Sequence, residues 1–188
     1  MKKIIFITTS KHKFEEVSAV LKKYDIVLEQ LVLDYVENKE DSMEEVCKKA
    51  AEELAAKLNK EIIVEDTGLY FNAYNNFPGA LPKFVIKGIG FDGIFRLLKN
   101  KDRSAYFKSV IGYGRPGKEV KIFNGIMTGK ITEEVIAPKK DVMPYDHIFI
   151  PNGYDKVIAQ MTMEEKNSFS QRGKAARKFG EYLRTIKN

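Results

Sequence analysis

Apolar positions in the first third of the chain alternate between short continuous runs and helical spacing. The runs predict buried strands at residues 3–9, 27–33 and 61–65. Between them the apolar residues recur with the period of a helix. This spacing predicts one helix that begins at Ser10 and a second that begins at a Ser-x-x-Glu capping box at Ser42. The order strand, helix, strand, helix, strand is typical of an α/β sheet.

The pattern changes in the second half, where strand-like segments follow one another directly. Residues 104–113 and 119–123 flank a Gly-Arg-Pro-Gly turn and predict a hairpin, and residues 125–134 predict a further strand. A second capping box at Thr162 precedes a final amphipathic helix. We see no repeat or linker. These elements predict one mixed-sheet α/β domain over residues 1–188, with two lobes around a central cleft.

Composition and charge narrow the function classes. The chain has 188 residues, 44% of them hydrophobic, which is enough for one core. Its net charge of +6 favours anionic ligands such as nucleotides. The lysines form pairs rather than a long basic run, so we expect no nucleic-acid partner. No stretch approaches the length of a membrane span, so we expect no membrane partner. The single Cys47 cannot form an intramolecular disulfide, which fits a reducing, cytoplasmic location.

Two adjacent carboxylates, Glu65 and Asp66, follow the third predicted strand. Adjacent residues inside a strand point to opposite faces, so we expect the strand to end here and Gly68 to provide a turn. Two close carboxylates repel each other unless a cation or a proton intervenes, and Mg²⁺ bridged to phosphate oxygens is a common partner. Taken alone, however, the pair favours a solvated acidic junction between strand and loop.

A second candidate site is the junction between the first strand and the first helix, which holds Thr8 and Ser10. A helix N-terminus offers free N–H groups and the positive end of the helix dipole, and both suit a phosphate. Lys13 lies in the first turn and could reach the same phosphate. The alternative is a plain serine N-cap beside a solvent-facing lysine, and the local sequence favours that interpretation.

Three segments resemble one family in the same order. They are residues 8–17 (TTSKHKFEEV), residues 64–69 (VEDTGL) with Pro78-Gly79, and a group made of Tyr145-Asp146, Lys166 and Ser170-Gln171-Arg172. The chain resembles the inosine triphosphate pyrophosphatases from Lys3 to about Leu183. The resemblance implies Mg²⁺-dependent hydrolysis, with Mn²⁺ as a substitute, of deaminated purine nucleoside triphosphates (ITP, dITP, XTP). The products would be the monophosphate and pyrophosphate. It also implies a homodimer.

The resemblance further implies roles for individual residues. Asp66 would activate the attacking water, while Lys13 and Lys49 would offset charge on the leaving pyrophosphate. The metal would be held by Glu44, Glu65 and Asp66. The residues implied in substrate binding are Thr8, Ser10, Lys13, Thr67, Gly68, Met143, Tyr145, Asp146, Lys166, Ser170, Gln171 and Arg172.

The chain departs from the family pattern at three positions. Ser10 stands where the family has asparagine, Met143 where it has a stacking phenylalanine, and Gln171 where it has histidine. The first departure concerns phosphate binding, and the other two concern the choice of base. They leave open an alternative of a different class, a nucleotide-binding protein of the same fold with weak hydrolysis or an altered base preference.

Two further patterns could indicate nucleotide or metal chemistry. Gly88, Gly90 and Gly93 match the GxGxxG fingerprint of dinucleotide-binding proteins. No acidic residue about 20 positions downstream completes a βαβ unit, so we interpret the stretch as a loop. His12 and His147 have no cysteine or histidine neighbour at zinc spacing, and we expect both to be surface or supporting residues.

Overall fold

The computed structural model describes residues 1–33 and 41–186. The helices and strands are β1 (Lys2–Ile7), α1 (Lys11–Leu21), β2 (Ile26–Leu31), α2 (Met43–Leu58), β3 (Ile62–Phe71), β4 (Pro78–Gly79), α3 (Pro82–Leu97), β5 (Ser104–Arg115), β6 (Lys118–Ile131), β7 (Phe149–Pro151), α4 (Met163–Phe169) and α5 (Gln171–Thr185). Short 3₁₀ turns occupy Lys22–Tyr24, Pro144–His147 and Ile158–Gln160. Within the described ranges, none of the helices combines the length and the apolar character that crossing a membrane requires.

One seven-stranded sheet organises the described residues. Its order is β2-β1-β3-β5-β6-β7, and the two-residue β4 pairs with the far end of β3. β2, β1 and β3 run parallel, whereas β3, β5, β6 and β7 form an antiparallel meander. The first half therefore has the α/β pattern that the sequence predicts, and the mixed-sheet fold class is confirmed.

Three apolar clusters pack the helices against the sheet and build the two lobes. One cluster packs α1 and α5 on one face, through residues such as Val17 and Phe179. A second packs α2 on the opposite face, through residues such as Cys47 and Val110. A further cluster around Phe107 packs α3 against the far ends of β3, β5 and β6. The long central strands run through both lobes and hold them in one domain.

Strand β3 is longer than the sequence predicts. It continues through residues 65–68 to Phe71, so the expected strand end and the turn at Gly68 are wrong. The cause is a partner that the local sequence does not show, because β5 pairs with β3 along its whole length and sets Gly68 opposite Lys108. Glycine suits this position because a Cβ there would lie 2.9 Å from the carbonyl oxygen of Gly79 in β4.

Two other predictions for the second half are wrong. The strands expected at 119–123 and 125–134 form one strand, β6, because β5 pairs with both parts and Gly125 lies opposite Ser109 within a continuous ladder. The glycine-rich stretch expected to be a loop lies in α3, which is kinked at Gly90. The next strand, β5, runs antiparallel to β3, so no dinucleotide-binding βαβ unit forms here.

Glycine at position 112 allows α2 to pack closely on β5. A Cβ at Gly112 would lie 2.5 Å from the carbonyl oxygen of Cys47 and 3.3 Å from the Cβ of Ala51. We expect Gly112→Ala to lower the free energy of unfolding by about 1–3 kcal/mol, measured by urea titration, because helix and strand must separate. Gly88→Ala is the matched control, since a Cβ there meets nothing within 4 Å. Equal losses in both variants would show that close packing is not the cause.

Candidate active site

A cleft of about 620 Å³ lies between the two lobes. The end of β1, the start of α1, the middle of β3 and the first turns of α3 and α5 border it. The predicted site residues that line it are Thr8, Ser10, Lys13, Glu65, Asp66, Thr67, Met143, Tyr145, Asp146, Lys166, Gln171 and Arg172. Among the described residues, those predicted for the site but not found in this lining are Glu44, Lys49, Gly68 and Ser170.

One end of the cleft is formed by a gap in the pairing of β3. β1 pairs with β3 as far as Val64, and β4 pairs with the same edge again from Leu69. Lys13 from α1 enters the gap. Its Nζ lies 3.2 Å from the carbonyl oxygen of Glu65, 2.9 Å from Glu65 Oε2 and 4.0 Å from Asp66 Oδ1. Both carboxylates therefore meet one cation although the strand does not end between them.

Asp66 and Glu65 point to opposite faces of the sheet, as neighbours in a strand must. Asp66 lies on the α2 side, where its charge adds to the effect of burial in raising the pKa of Cys47. Burial also raises the pKa of Asp66 itself, with Lys13 opposing the rise and Glu65 adding to it. Asp66 Oδ1 accepts a hydrogen bond from the Thr67 N–H at 2.8 Å. The result is a fixed carboxyl group of increased basicity at the cleft, which suits it to accept a proton from water.

Glu65 is buried and surrounded by donors. Its Oε1 accepts hydrogen bonds from the hydroxyls of Ser109 and Thr67, each at 2.5 Å, and from Arg172 Nε at 3.2 Å. Burial alone would raise the pKa of Glu65, but the charges of Arg172 and Lys13 and the two hydroxyl donors lower it to about 2. Glu65 is thus a charged anchor for this end of the cleft.

The other end of the cleft is built on further buried ion pairs. Lys166 Nζ lies 2.7 Å from Glu16 Oε1 and 2.6 Å from Asp146 Oδ2, and Arg172 Nη1 also pairs with Glu16. Burial raises the pKa of both carboxyl groups, but Arg172 and Lys166 together reverse this for Glu16, whose pKa is lowered. Asp146 pairs with Lys166, but burial and the nearby charge of Glu16 keep its pKa raised. We call Glu16, Glu65, Asp146, Lys166 and Arg172 the buried ion cluster.

Ser10 caps α1 at the mouth of the cleft. Its Oγ accepts a hydrogen bond from the Lys13 N–H at 3.3 Å, and its own N–H donates to Thr8 Oγ1 at 3.2 Å. The serine N-cap that the local sequence favours is confirmed. The solvent-facing Lys13 that belonged to the same interpretation is wrong, because its side chain is 18% exposed and pairs with Glu65. The Ser10 hydroxyl hydrogen can still be donated, since the cap uses Oγ as an acceptor. An anion at this helix N-terminus can therefore interact with the positive end of the helix dipole and accept a hydrogen bond from the Ser10 hydroxyl.

Two residues with implied catalytic roles lie away from the cleft lining. The Lys49 side chain is 68% exposed and its Nζ pairs with Asp41 at 2.6 Å. Glu44 pairs with Lys108 at 2.5 Å. Over residues 1–33 and 41–186 no group of three or more histidine, cysteine or acidic side chains is arranged to hold a metal. Asp66 presents a carboxylate in the cleft lining, and this suits Mg²⁺, which uses one or two carboxylates together with phosphate oxygens and water.

Sequence analysis missed three residues that shape this site, Glu16, Ser109 and Lys108. Glu16 lies three positions after Lys13 on α1, so the two share a helix face, and this spacing was a signal available in the sequence. Ser109 and Lys108 come from β5, and their positions depend on its register against β3. No local pattern in the sequence indicates that register.

Solved structures share this fold. The structure of the Staphylococcus aureus Ham1 protein matches with a TM-score of 0.75 and 27% sequence identity, over 98% of this chain and 100% of that chain. A HAM1 protein from Coxiella burnetii matches with a TM-score of 0.80 at 22% identity, over 98% and 100% of the two chains. The second likeness supports the fold alone. By its architecture, the molecule is in the structural class of the Ham1 proteins.

The sequence comparison is more specific. The model of the Ham1 family matches residues 4–182, and the chain belongs to this family. A dITP/XTP pyrophosphatase from Methanopyrus kandleri is 39% identical over 97% of this chain and 96% of its own length. A dITP/XTP pyrophosphatase from Pyrococcus horikoshii is also 39% identical, over 97% of each chain. The family resemblance recognised in the sequence is confirmed.

Proposed function

We propose that this protein is a nucleoside triphosphate pyrophosphohydrolase that removes deaminated purine nucleotides, dITP, ITP and XTP, from the nucleotide pool. It cleaves the bond between the α- and β-phosphates and releases the monophosphate and pyrophosphate. Relatives that are dITP/XTP pyrophosphatases support the substrate class. The observation that carries the proposal is the meeting of Lys13, Glu65 and Asp66 at the gap in β3, beside the N-terminus of α1.

The phosphate chain lies along this end of the cleft in our proposal. The N-terminus of α1 and the Ser10 hydroxyl bind phosphate oxygens, and Lys13 Nζ supplies a positive charge next to the reacting group. Lys13 is a compact cation already held by Glu65, so it needs little reorganisation as negative charge develops on the leaving pyrophosphate.

Asp66 is the base for the attacking water. Its carboxylate takes a proton as the water oxygen bonds to the α-phosphorus, while the bond from that phosphorus to the bridging oxygen breaks and pyrophosphate leaves with the electron pair. The raised pKa of Asp66 suits this role. Mg²⁺, with Mn²⁺ as a substitute, supplies Lewis-acid stabilisation of the phosphate charge when bound near Asp66. Lys49 pairs with Asp41 outside the described lining of the cleft, and its role in offsetting charge on pyrophosphate stays a prediction.

The purine lies at the other end of the cleft, between an apolar wall and a polar one. The apolar wall includes Ile86, Phe107, Met127, Met143 and Ile158. Met143 covers the face of the base with a thioether, which packs on an aromatic ring without ring stacking. The hydroxyl of Tyr145 already donates to the Pro82 carbonyl oxygen at 3.0 Å, so this residue offers its ring to the cleft.

Substitutions of Ser10 separate phosphate binding from helix capping. We expect Ser10→Ala to reduce kcat/KM by an amount equivalent to about 0.5–1.5 kcal/mol, the net value of one hydrogen bond. Ser10→Asn should preserve or improve kcat/KM, because asparagine also caps helices and carries a further donor. Kinetics and thermal unfolding are measured on the same samples. If Ser10→Ala changes Tm and leaves kcat/KM unaltered, Ser10 is only a cap.

We also propose that the protein is a cytoplasmic homodimer. The buried Cys47 thiol agrees with a reducing compartment. Helix α3 and the residue before it expose large apolar side chains, with Phe84 71% exposed and Leu81 and Ile89 also exposed. Light scattering should give twice the 21.5 kDa chain mass, and Phe84→Glu should halve it. Lys87→Glu on the same helix is the control for added negative charge. A wild-type mass of one chain would refute the dimer.

A further inference from the structure

A second cavity, of about 520 Å³, lies at the C-terminal end of α1, whereas the cleft lies at the N-terminal end of this helix. Its walls are the last turn of α1, the 3₁₀ turn Lys22–Tyr24, α4 and the later turns of α5. Among the described residues, none lines both cavities. We call the second cavity the rear groove. Its polar and aromatic lining includes Lys23, Tyr24, Glu164, Asn167, Arg177 and Arg184.

The lining of the rear groove carries three cations and one carboxylate. Lys23 Nζ lies 3.5 Å from Glu164 Oε1, and both side chains are exposed. Over residues 1–33 and 41–186 the two arginines bond to backbone rather than to carboxylates: Arg177 donates to two carbonyl oxygens of α4, and Arg184 donates to that of Lys23 at 2.8 Å. A carbonyl oxygen does not neutralise a guanidinium, which has five N–H donors. The groove therefore keeps a net positive charge and donors beyond those that these bonds use.

The guanidinium of Arg184 is held in place by an aromatic ring. Its central carbon lies 4.4 Å from the centre of the Tyr24 ring. Tyr24 is itself fixed against α5, because a Cβ at Gly180 would lie only 2.6 Å from the ring. A cation that is already positioned loses less conformational freedom when it binds an anion.

Asn167 brings an unpaired amide oxygen to the rear groove. The residue is 6% exposed and is the most buried polar residue of the lining. Its Nδ2 donates to the carbonyl oxygen of Glu16 at 3.1 Å, but its Oδ1 accepts no hydrogen bond within residues 1–33 and 41–186. Buried amide oxygens are nearly always bonded, because leaving one unbonded carries the desolvation cost of the group. An anion that satisfies this site must therefore also carry a hydrogen to donate.

Orthophosphate meets both requirements, since it is negatively charged at neutral pH and keeps at least one hydroxyl hydrogen. Sulfate has the same tetrahedral shape but no hydrogen to donate. We propose that the rear groove is a second anion site that binds orthophosphate. Arg177 and Arg184 contact the charged oxygens, and Asn167 Oδ1 accepts a hydrogen bond from the phosphate hydroxyl. The site lies outside the cleft, so this inference does not depend on the proposed function.

Calorimetric titration with orthophosphate and with sulfate, at constant ionic strength, tests the site. Orthophosphate should bind about tenfold more tightly than sulfate, because sulfate leaves the amide oxygen unbonded. Arg184→Met should weaken orthophosphate binding by about tenfold, the effect of losing a charge-assisted hydrogen bond. Glu164→Gln should tighten it by about twofold to fivefold, because the carboxylate of the groove is removed. Lys178→Met removes a charge from α5 outside the groove and should change nothing.

Two further arms identify the site and the source of the phosphate group. Ser10→Ala alters the cleft and not the rear groove, so it should leave this binding unchanged. At about pH 8 methyl phosphate is fully ionised and has no hydroxyl, so it should bind as weakly as sulfate. Thermal unfolding verifies that each variant is folded, and orthophosphate should raise the Tm of wild type more than that of Arg184→Met.

Several results would overturn the inference. Equal affinities for orthophosphate and sulfate would remove the role of Asn167, and tighter binding of methyl phosphate would point to phosphate esters instead. Orthophosphate binding that responds to Ser10→Ala, and is the same in wild type, Arg184→Met and Glu164→Gln, would place the anion in the cleft alone. The absence of saturable binding would leave the arginines as caps of backbone carbonyl groups.

Discussion

Asp66→Asn is expected to lower kcat by about 10²–10⁴-fold, the range for loss of a general base, while the protein stays folded. Asparagine retains the oxygen that accepts the hydrogen bond from the Thr67 N–H, so the local backbone of β3 should be preserved. The amide cannot accept a proton from water at neutral pH, and it is a weaker ligand for a divalent cation. Steady-state kinetics at saturating Mg²⁺, with thermal unfolding on the same samples, measures both effects.

Asp92→Asn is the matched control for this substitution. Asp92 is exposed on α3 and does not line the cleft, so the same chemical change there should leave kcat within the error of the assay. Near-normal turnover of Asp66→Asn would remove Asp66 from the mechanism. It would direct attention to Glu65, whose loss also removes one of the two buried carboxylates that pair with Arg172.

Arg172→Met is expected to lower the free energy of unfolding by about 3–5 kcal/mol at neutral pH, because it leaves Glu16 and Glu65 as buried charges without their shared cation. The expected loss is large because Arg172 is fully committed, with all three guanidinium nitrogens engaged by protein groups. Arg177→Met on the same helix is the control. Arg177 donates to the carbonyl oxygens of Asn167 and Ser168 and to no carboxylate of the cluster, so its loss should be smaller.

The pKa shifts of the buried carboxyl groups determine how the stability of the fold changes with pH. The pKa of Glu65 is about 2 in the folded protein against an ordinary value of 4.5, and the pKa of Glu16 is also lowered. Each therefore stabilises the fold fully above pH 4.5 and loses that contribution as the pH falls towards the lowered value. The raised pKa of Asp146 acts in the opposite direction, since it favours the fold below its ordinary value of 3.8.

Urea titrations at decreasing pH measure the difference between wild type and Arg172→Met. The difference should shrink between pH 4.5 and about 2, because protonated Glu65 no longer needs a cation. The loss for Arg177→Met should not depend on pH in this range. A loss for Arg172→Met that is independent of pH, or no larger than that of Arg177→Met, would show that the buried ion cluster does not stabilise the fold as described.

The elements that the sequence predicts well are those fixed by local chemistry. The capping box at Ser42 and Glu45 begins α2, and the side-chain caps at Ser10 and Thr162 begin α1 and α4. The elements predicted wrongly depend on distant partners. Gly68 is a turn signal in isolation, but pairing with β5 keeps it in β3. The glycines of α3 likewise suggest a loop, whereas two helical segments meet there at Gly90, whose φ of 64° and ψ of −172° are not helical.

The residues of the candidate site also divide into those that the sequence indicates and those that depend on distant partners. The family resemblance pointed to Lys13 and Asp66 although the local sequence favoured solvated positions for both, and the structure places Lys13 Nζ 4.0 Å from Asp66 Oδ1. The buried ion pair between Arg172 and Glu16 could not be predicted. Glu16 lies 156 residues away in the sequence, and the packing of α1 against α5 brings the two together. Lys49 matched a motif by sequence position, yet its side chain lies on the outer part of α2 beside Asp41.

The measurement that tests the central claim most directly is the product formed from dITP or XTP by the purified protein with Mg²⁺. Pyrophosphate and orthophosphate are scored separately, together with the nucleotide that remains. We predict pyrophosphate and the nucleoside monophosphate in equal amounts, with no orthophosphate. Orthophosphate and a diphosphate would contradict cleavage between the α- and β-phosphates. Tight binding of the nucleotide without turnover would contradict the enzyme assignment and support a nucleotide-binding protein of the same fold.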